Sequence, residues 1–201
     1  MVGVAQEAAG SEATIDGLTA CFGAALICNE QALAVAANAV VALRDTIRAR
    51  KPSGVIIAAF GDPGQEQLAD ELGCPVTGIA EASLAEAARG ARRFVVVTTT
   101  PDLVAAITRT THRYGLSESF LGVRLTPGDP RASMNDAGCL EEELFRACEA
   151  AIRQDAAQAI VIGGGPLAVA ARALKGRLSI PIIEPVPAAI RLALCRCIDT
   201  C

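Results

Sequence analysis

Three turns that run into a proline are the parts of this 201-residue sequence with the clearest chemical potential. They are Phe60–Gly64 (FGDPG), Thr98–Asp102 (TTTPD) and Gly163–Leu167 (GGGPL). The proline suits the first position of a helix, where its missing N–H group costs nothing. The residues before it leave backbone N–H groups at the positive end of that helix, an arrangement that binds anions. We expect contacts to a small carboxylate or ureide from Phe60, Gly61, Thr98, Thr99, Thr100, Gly163, Gly164 and Gly165.

Two carboxylates and one thiol are the candidates for moving a proton near these turns. Asp62 lies in the first turn, where its simplest role is to cap the helix that follows. Glu184 follows the last apolar run, and the alternative to a ligand contact is a solvated loop carboxylate. Cys21 follows the first apolar run, where a small buried thiol is the usual reading. The catalytic residues therefore stay unknown from the sequence.

Short apolar runs alternate with longer Ala-rich amphipathic stretches, a pattern typical of a parallel α/β sheet. The predicted strands are Ala13–Leu18, Gly54–Phe60, Pro75–Ile79, Arg93–Thr98, Phe120–Leu125, Ala159–Ile162 and Ile180–Ile183. The predicted helices are Asn29–Ala49, Gln65–Leu72, Leu84–Gly90, Pro101–Tyr114, Glu141–Gln154, Leu167–Gly176 and Ala188–Cys195. The one long loop, Thr126–Gly138, could border a pocket. Ligands in such sheets sit beyond the carboxyl ends of the strands, where the three turns should lie.

The composition excludes several classes of partner. Hydrophobic residues make up 52% of the chain and aromatic residues 3%, so the core must be aliphatic. The formal net charge of −4 and the lack of a basic block argue against nucleic acid. No apolar run approaches the ~20 residues of a membrane span. The eight scattered cysteines predict reduced, mostly buried thiols in a cytoplasmic protein, and Cys195, Cys197 and Cys201 lack an obvious fourth ligand for a metal.

Two stretches of the chain, starting at Val55 and at Ile160, share one order of features. Each reads as an apolar strand, a Gly-x-Pro turn, a helix and a Pro-led strand that ends near a glutamate. The pattern indicates either an internal duplication with two similar half-domains or the general likeness of any two βαβ units.

Four of these segments also carry a resemblance to a known family. AAFGDPG (58–64), CPVTGIAEAS (74–83), FVVVTTT (94–100) and AIVIGGGPLA (159–168) resemble the hydantoin and allantoin racemase branch of the Asp/Glu racemase superfamily. The resemblance implies two Rossmann-like α/β domains with pseudo-two-fold symmetry, a pocket in the cleft between them, and no cofactor. We expect residues 1–91 plus 182–201 to form the first domain, residues 92–181 to form the second, and the chain to form a homo-oligomer.

The resemblance also implies a mechanism that this sequence does not reproduce. In that family two cysteines on opposite faces of the substrate remove and return a proton, and a helix N-terminus brings their pKa toward neutrality. The matching positions here are Ala59 and Gly164, which cannot hold a proton. We expect a racemase-family protein for a hydantoin- or allantoin-type derivative that does not use two thiols. A lyase or decarboxylase on the same scaffold, and a non-catalytic protein that binds small anions, stay open.

The start of the sequence differs from the family in a second way. Members usually open with a strand and an Asn-Pro-Asn-Thr turn, and neither occurs here. We therefore expect residues 1–12 to pack poorly and the sheet to have a gap beside the Ala13–Leu18 or Gly54–Phe60 strand.

Overall fold

The computed structural model describes residues 1–128, 136–164 and 167–199. Within these ranges the strands are β1 Val55–Ile57, β2 Val76–Gly78, β3 Phe94–Thr98, β4 Phe120–Leu125, β5 Ala159–Ile162 and β6 Ile182–Ile183. The helices are α1 Val2–Ala9, α2 Glu30–Val41, α3 Arg44–Arg50, α4 Gln65–Glu71, α5 Ile79–Ala87, α6 Val104–Arg113, α7 Ala137–Asp155, α8 Ala168–Ala173 and α9 Pro185–Asp199. A 3₁₀ turn, Pro101–Leu103, leads into α6.

All described strand pairs are parallel. β1 pairs with β2 in a small sheet, and the larger sheet has the order β4-β3-β5-β6. Both stretches that share the strand–turn–helix–strand pattern therefore form a βαβ unit with neighbouring parallel strands. The α/β class with parallel sheets is confirmed. The division into two domains stays a proposal, and Ile182 and Ile183 pair with β5 in the larger sheet.

The larger sheet is covered on both faces, which explains its apolar strands. Every residue of β3 and β5 is buried. Side chains alternate between the faces, so Phe94 and Val96 join one core cluster and Val95 and Val97 the other. Helices α7 and α8 cover the second face, whereas α5, α6, α9 and α1 cover the first. The first cluster also takes in Ile56 of β1, so it connects the two sheets.

The expectation that residues 1–12 pack poorly is wrong. Residues 2–9 form α1, and Ala5 and Ala9 are buried in the cluster shared with α9. Residues 13–18 do not form the predicted strand. The Gln6 side chain instead donates to the Ala13 carbonyl and accepts the Ile15 N–H. The Gln6 side chain thus forms hydrogen bonds with backbone groups that a neighbouring strand would bind in a sheet. An apolar periodicity does not show whether such a neighbouring strand is present.

Several helix boundaries also differ from the prediction. The predicted helix Asn29–Ala49 is two helices, and Asn29 caps the first by accepting the Ala32 N–H at 2.8 Å. Helix α9 begins at Pro185, because a proline fits the first helical position. In the predicted loop Thr126–Gly138, residues 129–135 lie outside the described residues, and α7 already begins at Ala137.

The described cysteines are free thiols, but most are not buried. Only Cys148 is fully buried among them, and burial raises its pKa to about 12. Three others, Cys21, Cys139 and Cys195, are exposed because they lie in an irregular segment or on the outer sides of helices. The expectation of mostly buried thiols is therefore wrong for this part of the chain. None of the described helices has the length and apolar character needed to cross a membrane.

Candidate functional site

The turns after β1, β3 and β5 touch one another at the carboxyl ends of their strands. The Thr98 hydroxyl donates to the Gly163 carbonyl at 2.8 Å, which joins the second and third turns. The Phe60 ring fills the space beside Gly163, where an added Cβ would lie 3.2 Å from Phe60 Cε1. We call this meeting point of residues 59–61, 98–100 and 163–164 the three-corner site. The strand-end rule predicted such a convergence from the sequence.

Two threonine hydroxyls order the second corner. Thr98 is 1% exposed and Thr99 4% exposed, so this corner is buried at its base. Because Thr98 donates its hydrogen to Gly163, the Thr100 hydroxyl 3.0 Å away must be the donor between the two threonines. The corner presents hydroxyl and backbone groups, which can hold a ureide or a carboxylate. A hydroxyl group does not exchange protons as a base near neutral pH.

The third corner is already hydrogen-bonded within the chain. The Gly163 N–H donates to the Val97 carbonyl at 2.8 Å, and the Gly164 N–H to the Ile162 carbonyl at 3.2 Å. These two N–H groups are therefore not directed at an anion in this structure. The predicted contact Gly165 lies outside the described residues.

The two positions at which the resemblance implies the family's cysteines lie within the three-corner site. Ala59 and Gly164 are both partly exposed, and neither has a group that carries a proton. A Cβ added to Gly164 would lie 3.2 Å from Leu167 Cδ1, so a small shift of that flexible side chain would admit one. The three-corner site therefore carries no thiol at either of the two positions for which the resemblance implies one.

Asp62 points away from the three-corner site and caps a helix. Its Oδ1 accepts the Ala80 N–H at 2.8 Å, and its Oδ2 accepts the Glu81 N–H at 2.6 Å. These are the second and third residues of α5, so the expectation that Asp62 caps the helix directly after it is wrong. Burial raises the pKa of Asp62 to about 6, against these two N–H donors, which lower it.

The cap works because Gly78 has no side chain. Gly78 is the N-cap residue of α5, and an added Cβ would lie 2.0 Å from Asp62 Cγ. The Asp62 carboxylate therefore takes the place of the side chain that an Asn, Asp or Ser at the N-cap would supply. It also lets α5 begin at Ile79, five residues before the start that the sequence predicted.

Glu184 is also buried and already paired. It is 3% exposed and lies 3.3 Å from Arg172 Nε, with Lys175 as a second ion-pair partner. Arg172 also reaches Glu7 at 2.9 Å, so the group ties α1 and α8 to the start of α9. The alternative of a solvated loop carboxylate is wrong. Catalytic roles for Asp62, Glu184 and the exposed Cys21 stay predictions. The described contacts of the two carboxylates are with residues outside the three-corner site.

The sequence analysis missed a polar network next to Asp62. Tyr114 Oη lies 2.8 Å from Asp62 Oδ2 and 2.9 Å from Gln65 Oε1. Gln65 Nε2 donates to Glu81 Oε2 at 2.6 Å, and Arg196 Nη1 donates to the same oxygen at 3.0 Å. Burial is the largest single effect on Glu81 and raises its pKa, but Arg196, Gln65 and the Gly78 N–H together outweigh it, so the pKa is lowered. The only sequence signal was Gly78-x-x-Glu81, a capping-box spacing without its capping side chain.

Comparisons with known proteins show which family this chain resembles. The family model described as Asp/Glu/Hydantoin racemase matches residues 1–193. Hydantoin racemase from Paenarthrobacter aurescens is 30% identical over 73% of the chain and 62% of its own length. Hydantoin racemase from Pseudomonas sp. (strain NS671) is 33% identical over 69% of the chain and 55% of its own length.

A solved structure extends the likeness to the fold. Allantoin racemase from Klebsiella pneumoniae has a TM-score of 0.87 and 30% identity, covering 96% of this chain and 79% of that one. In parallel α/β folds, the edge at which the strand-end turns converge is the usual place for a small-molecule ligand. The chain belongs to the Asp/Glu/hydantoin racemase family. It spans less than two thirds of the length of the two hydantoin racemases above.

Proposed function

We propose that this chain acts on a small amino-acid derivative of the hydantoin or allantoin type, as a cofactor-independent isomerase of its family. The observation that carries the proposal is the three-corner site, which lies where the family's thiols would act. Its hydroxyl groups and backbone suit the N–H and C=O groups of a ureide ring. We assign substrate contacts to Phe60, Gly61, Thr98, Thr99, Thr100, Gly163 and Gly164.

The chemical step cannot use two thiols. Removal and return of a proton on opposite faces need two groups that exchange protons near neutral pH, and Ala59 and Gly164 provide none. Hydroxyl and backbone groups of the site can stabilise the developing negative charge of an enolate only after a rearrangement, because the hydrogens of Thr98 and Thr100 and the N–H groups of the third corner already have acceptors within the chain. This specific observation favours a second candidate, a protein that binds the same ligand without turning it over.

Solvent-deuterium exchange at the chiral carbon of a hydantoin, followed by NMR and by optical rotation, separates the two candidates. We expect slow or no exchange for the wild type and a gain for the double variant Ala59→Cys/Gly164→Cys. Each single cysteine variant should give at most exchange with retention of configuration, because one thiol serves only one face. No gain in the double variant, with the fold intact, would contradict the assignment of these two positions.

A different base would show itself in the same experiment. Fast exchange in the wild type that is lost in Asp62→Asn or Glu184→Gln would identify a carboxylate base. Fast exchange lost only in Cys21→Ser would identify that thiol. Any of these results would support the isomerase proposal over binding alone.

The location of the binding site has its own test. Thr98→Val keeps the side-chain shape but removes the hydroxyl that joins two corners. We expect it to weaken binding of hydantoin or allantoin in calorimetry about tenfold, which corresponds to roughly 1.4 kcal/mol. The matched control is Thr108→Val, because the Thr108 hydroxyl donates to Val104 within α6. Equal binding by both variants would place the ligand elsewhere.

We further propose that the protein is a cytoplasmic homo-oligomer. The free thiols of the described cysteines suit a reducing compartment. Exposed apolar side chains such as Phe22, which is 53% exposed, suit a contact between copies. Light scattering coupled to size-exclusion chromatography should give a mass above that of one chain, and a mass of 20.6 kDa would contradict this part of the proposal.

A further inference from the structure

Tyr114 faces two acceptors with a single hydrogen. Its Oη lies 2.8 Å from Asp62 Oδ2 and 2.9 Å from Gln65 Oε1. Burial, followed by the charge of Asp62, raises the pKa of Tyr114, so the phenol keeps its hydrogen. A phenol donates to only one acceptor at a time. A hydrogen for the other contact must come from elsewhere.

Gln65 cannot supply that hydrogen. Its Nε2 lies 2.6 Å from Glu81 Oε2 and 3.3 Å from the Val76 carbonyl, and both of these are acceptors. A flipped amide would place its oxygen against both of them. Gln65 Oε1 therefore faces Tyr114, where it can only accept. The missing hydrogen must lie on Asp62.

We propose that in mildly acidic solution Asp62 is held as a neutral carboxylic acid whose Oδ2–H donates to Tyr114, while Tyr114 donates its own hydrogen to Gln65. We call this series of hydrogen bonds, from Asp62 through Tyr114 and Gln65 to Glu81, the relay. In this state each of its contacts has one hydrogen. The Ala80 N–H donates to Oδ1 and the Glu81 N–H to Oδ2, and Gln65 passes the series on to the Glu81 carboxylate. The relay connects the turn after β1 with α5 and the end of α6.

The charged groups around Asp62 act in both directions. The N-terminus of α5 favours the ionised carboxylate, and so does Arg113, whose guanidinium lies 5.0 Å over the Tyr114 ring. The negative charge of Glu81 and burial favour the neutral acid, and burial is the largest of these effects. Arg196 keeps Glu81 ionised, so Asp62 is the member of the pair that carries the proton.

Ionisation of Asp62 would change the direction of the hydrogen bonds in the relay. Tyr114 would then turn its hydrogen toward the carboxylate, and Gln65 Oε1 would face the lone pairs of Tyr114 without a donor. The Asp62 N–H donates to the Ala59 carbonyl at 3.1 Å, so the relay adjoins the first corner of the candidate site. The relay is thus a pH-sensitive set of hydrogen bonds beside that corner, and it does not depend on which ligand the corner binds.

Carbon-13 NMR of the aspartate carboxyl groups across pH 3–9 tests the proposal, with Asp62→Asn to assign the signal. We expect the wild-type Asp62 signal to titrate near pH 6. Gln65→Met removes the acceptor that holds the Tyr114 hydrogen, so this hydrogen becomes available to the carboxylate and the midpoint should fall by about one pH unit. The matched control is Gln67→Met on the same helix, since Gln67 is exposed and its amide donates to Glu71.

Two outcomes would overturn the proposal. The first is a wild-type midpoint below pH 5, which would mean that Asp62 is already ionised in mildly acidic solution and donates no hydrogen to Tyr114 there. The second is a Gln65→Met midpoint equal to that of the wild type and of Gln67→Met. If Gln65→Met does not fold, infrared difference spectra of the wild type decide. The carbonyl band of a protonated carboxylic acid should be present at pH 5, weaken by pH 8, and be missing in Asp62→Asn.

Discussion

Gly78 is the residue at which a single added carbon should do the most local damage. Its Cβ would lie 2.0 Å from Asp62 Cγ, so the carboxyl group would have to leave the N-terminus of α5. We expect Gly78→Ala to lower the free energy of unfolding by about 3 kcal/mol, from overpacking together with loss of the cap. Urea denaturation followed by circular dichroism measures this loss.

Gly73→Ala is the control for this prediction. An added Cβ at Gly73 meets nothing within 4 Å, and the residue is exposed. The same Gly-to-Ala change should therefore alter stability by less than about 1 kcal/mol. A Gly78→Ala variant as stable as Gly73→Ala would show that Asp62 is not held beside Gly78.

Helix α5 depends on a cap that comes from a distant turn. Without Asp62, the backbone N–H groups of Ala80 and Glu81 would lose their hydrogen-bond acceptor. Glu81 adds a second contact by accepting the Gly78 N–H at 3.3 Å, and Arg196 of α9 holds Glu81 in place. The start of α5 is therefore held by the turn after β1, by its own Glu81 and by α9. Its stability should respond to the charge of Asp62.

Stability should fall as pH rises through the titration of Asp62. The pKa of Asp62 is raised from 3.8 to about 6 in the folded chain, so between these values the folded state binds more protons than the unfolded state. The free energy of unfolding should therefore decrease from about pH 4 to pH 6, by up to roughly 3 kcal/mol from this group. Denaturation midpoints at pH 4, 5, 6 and 7 check the sign.

Asp62→Asn isolates this contribution. Other carboxyl groups with lowered pKa values, among them Glu71 and Glu81, change stability in the opposite direction over nearby pH values. The difference between the wild type and Asp62→Asn removes their contributions. This difference should shrink as pH rises from 4 to 6, since only the wild type loses stability from Asp62. A difference that grows over this range would reverse the assigned direction of the pKa shift.

One core cluster connects the two sheets across the whole molecule. It contains buried residues of α1, α5, α6 and α9 together with Val96 and Val161 of the larger sheet, and Ile56 of the smaller sheet packs against it. The Arg191–Glu86 ion pair at 2.7 Å adds a link between α9 and α5. The two sheets should therefore lose their structure together.

Ile190→Ala tests this cooperativity. Ile190 is 1% exposed within the shared cluster, so its truncation should cost about 2–5 kcal/mol. Hydrogen exchange should show the same loss of protection in β1 and in β3, in one cooperative transition. The matched control is Ile198→Ala on the same helix, because Ile198 is 72% exposed and its truncation should change stability little. A loss confined to one sheet would show that the sheets unfold independently.

The sequence by itself determined the strands after residue 50, the class of fold and the meeting of the three corners. Buried parallel strands are continuous apolar runs bounded by Gly and Pro, so they can be found without knowing their partners. The carboxyl ends of such strands lie at one edge, which places the residues around Phe60, Thr98 and Gly163 together. The absence of a thiol at Ala59 and at Gly164 was equally visible, since it is a matter of residue type.

Only the tertiary structure decided what the polar side chains do. Asp62 reaches Ala80, 18 residues further along the chain, because the turn after β1 packs against the start of α5. Glu184 is an ion-paired buried group because α8 lies beside it. Residues 13–18 have the apolar pattern of a strand but lack a paired neighbour. Periodicity and spacing describe one segment at a time, whereas the partner of a carboxylate or of a strand edge depends on how separate segments pack.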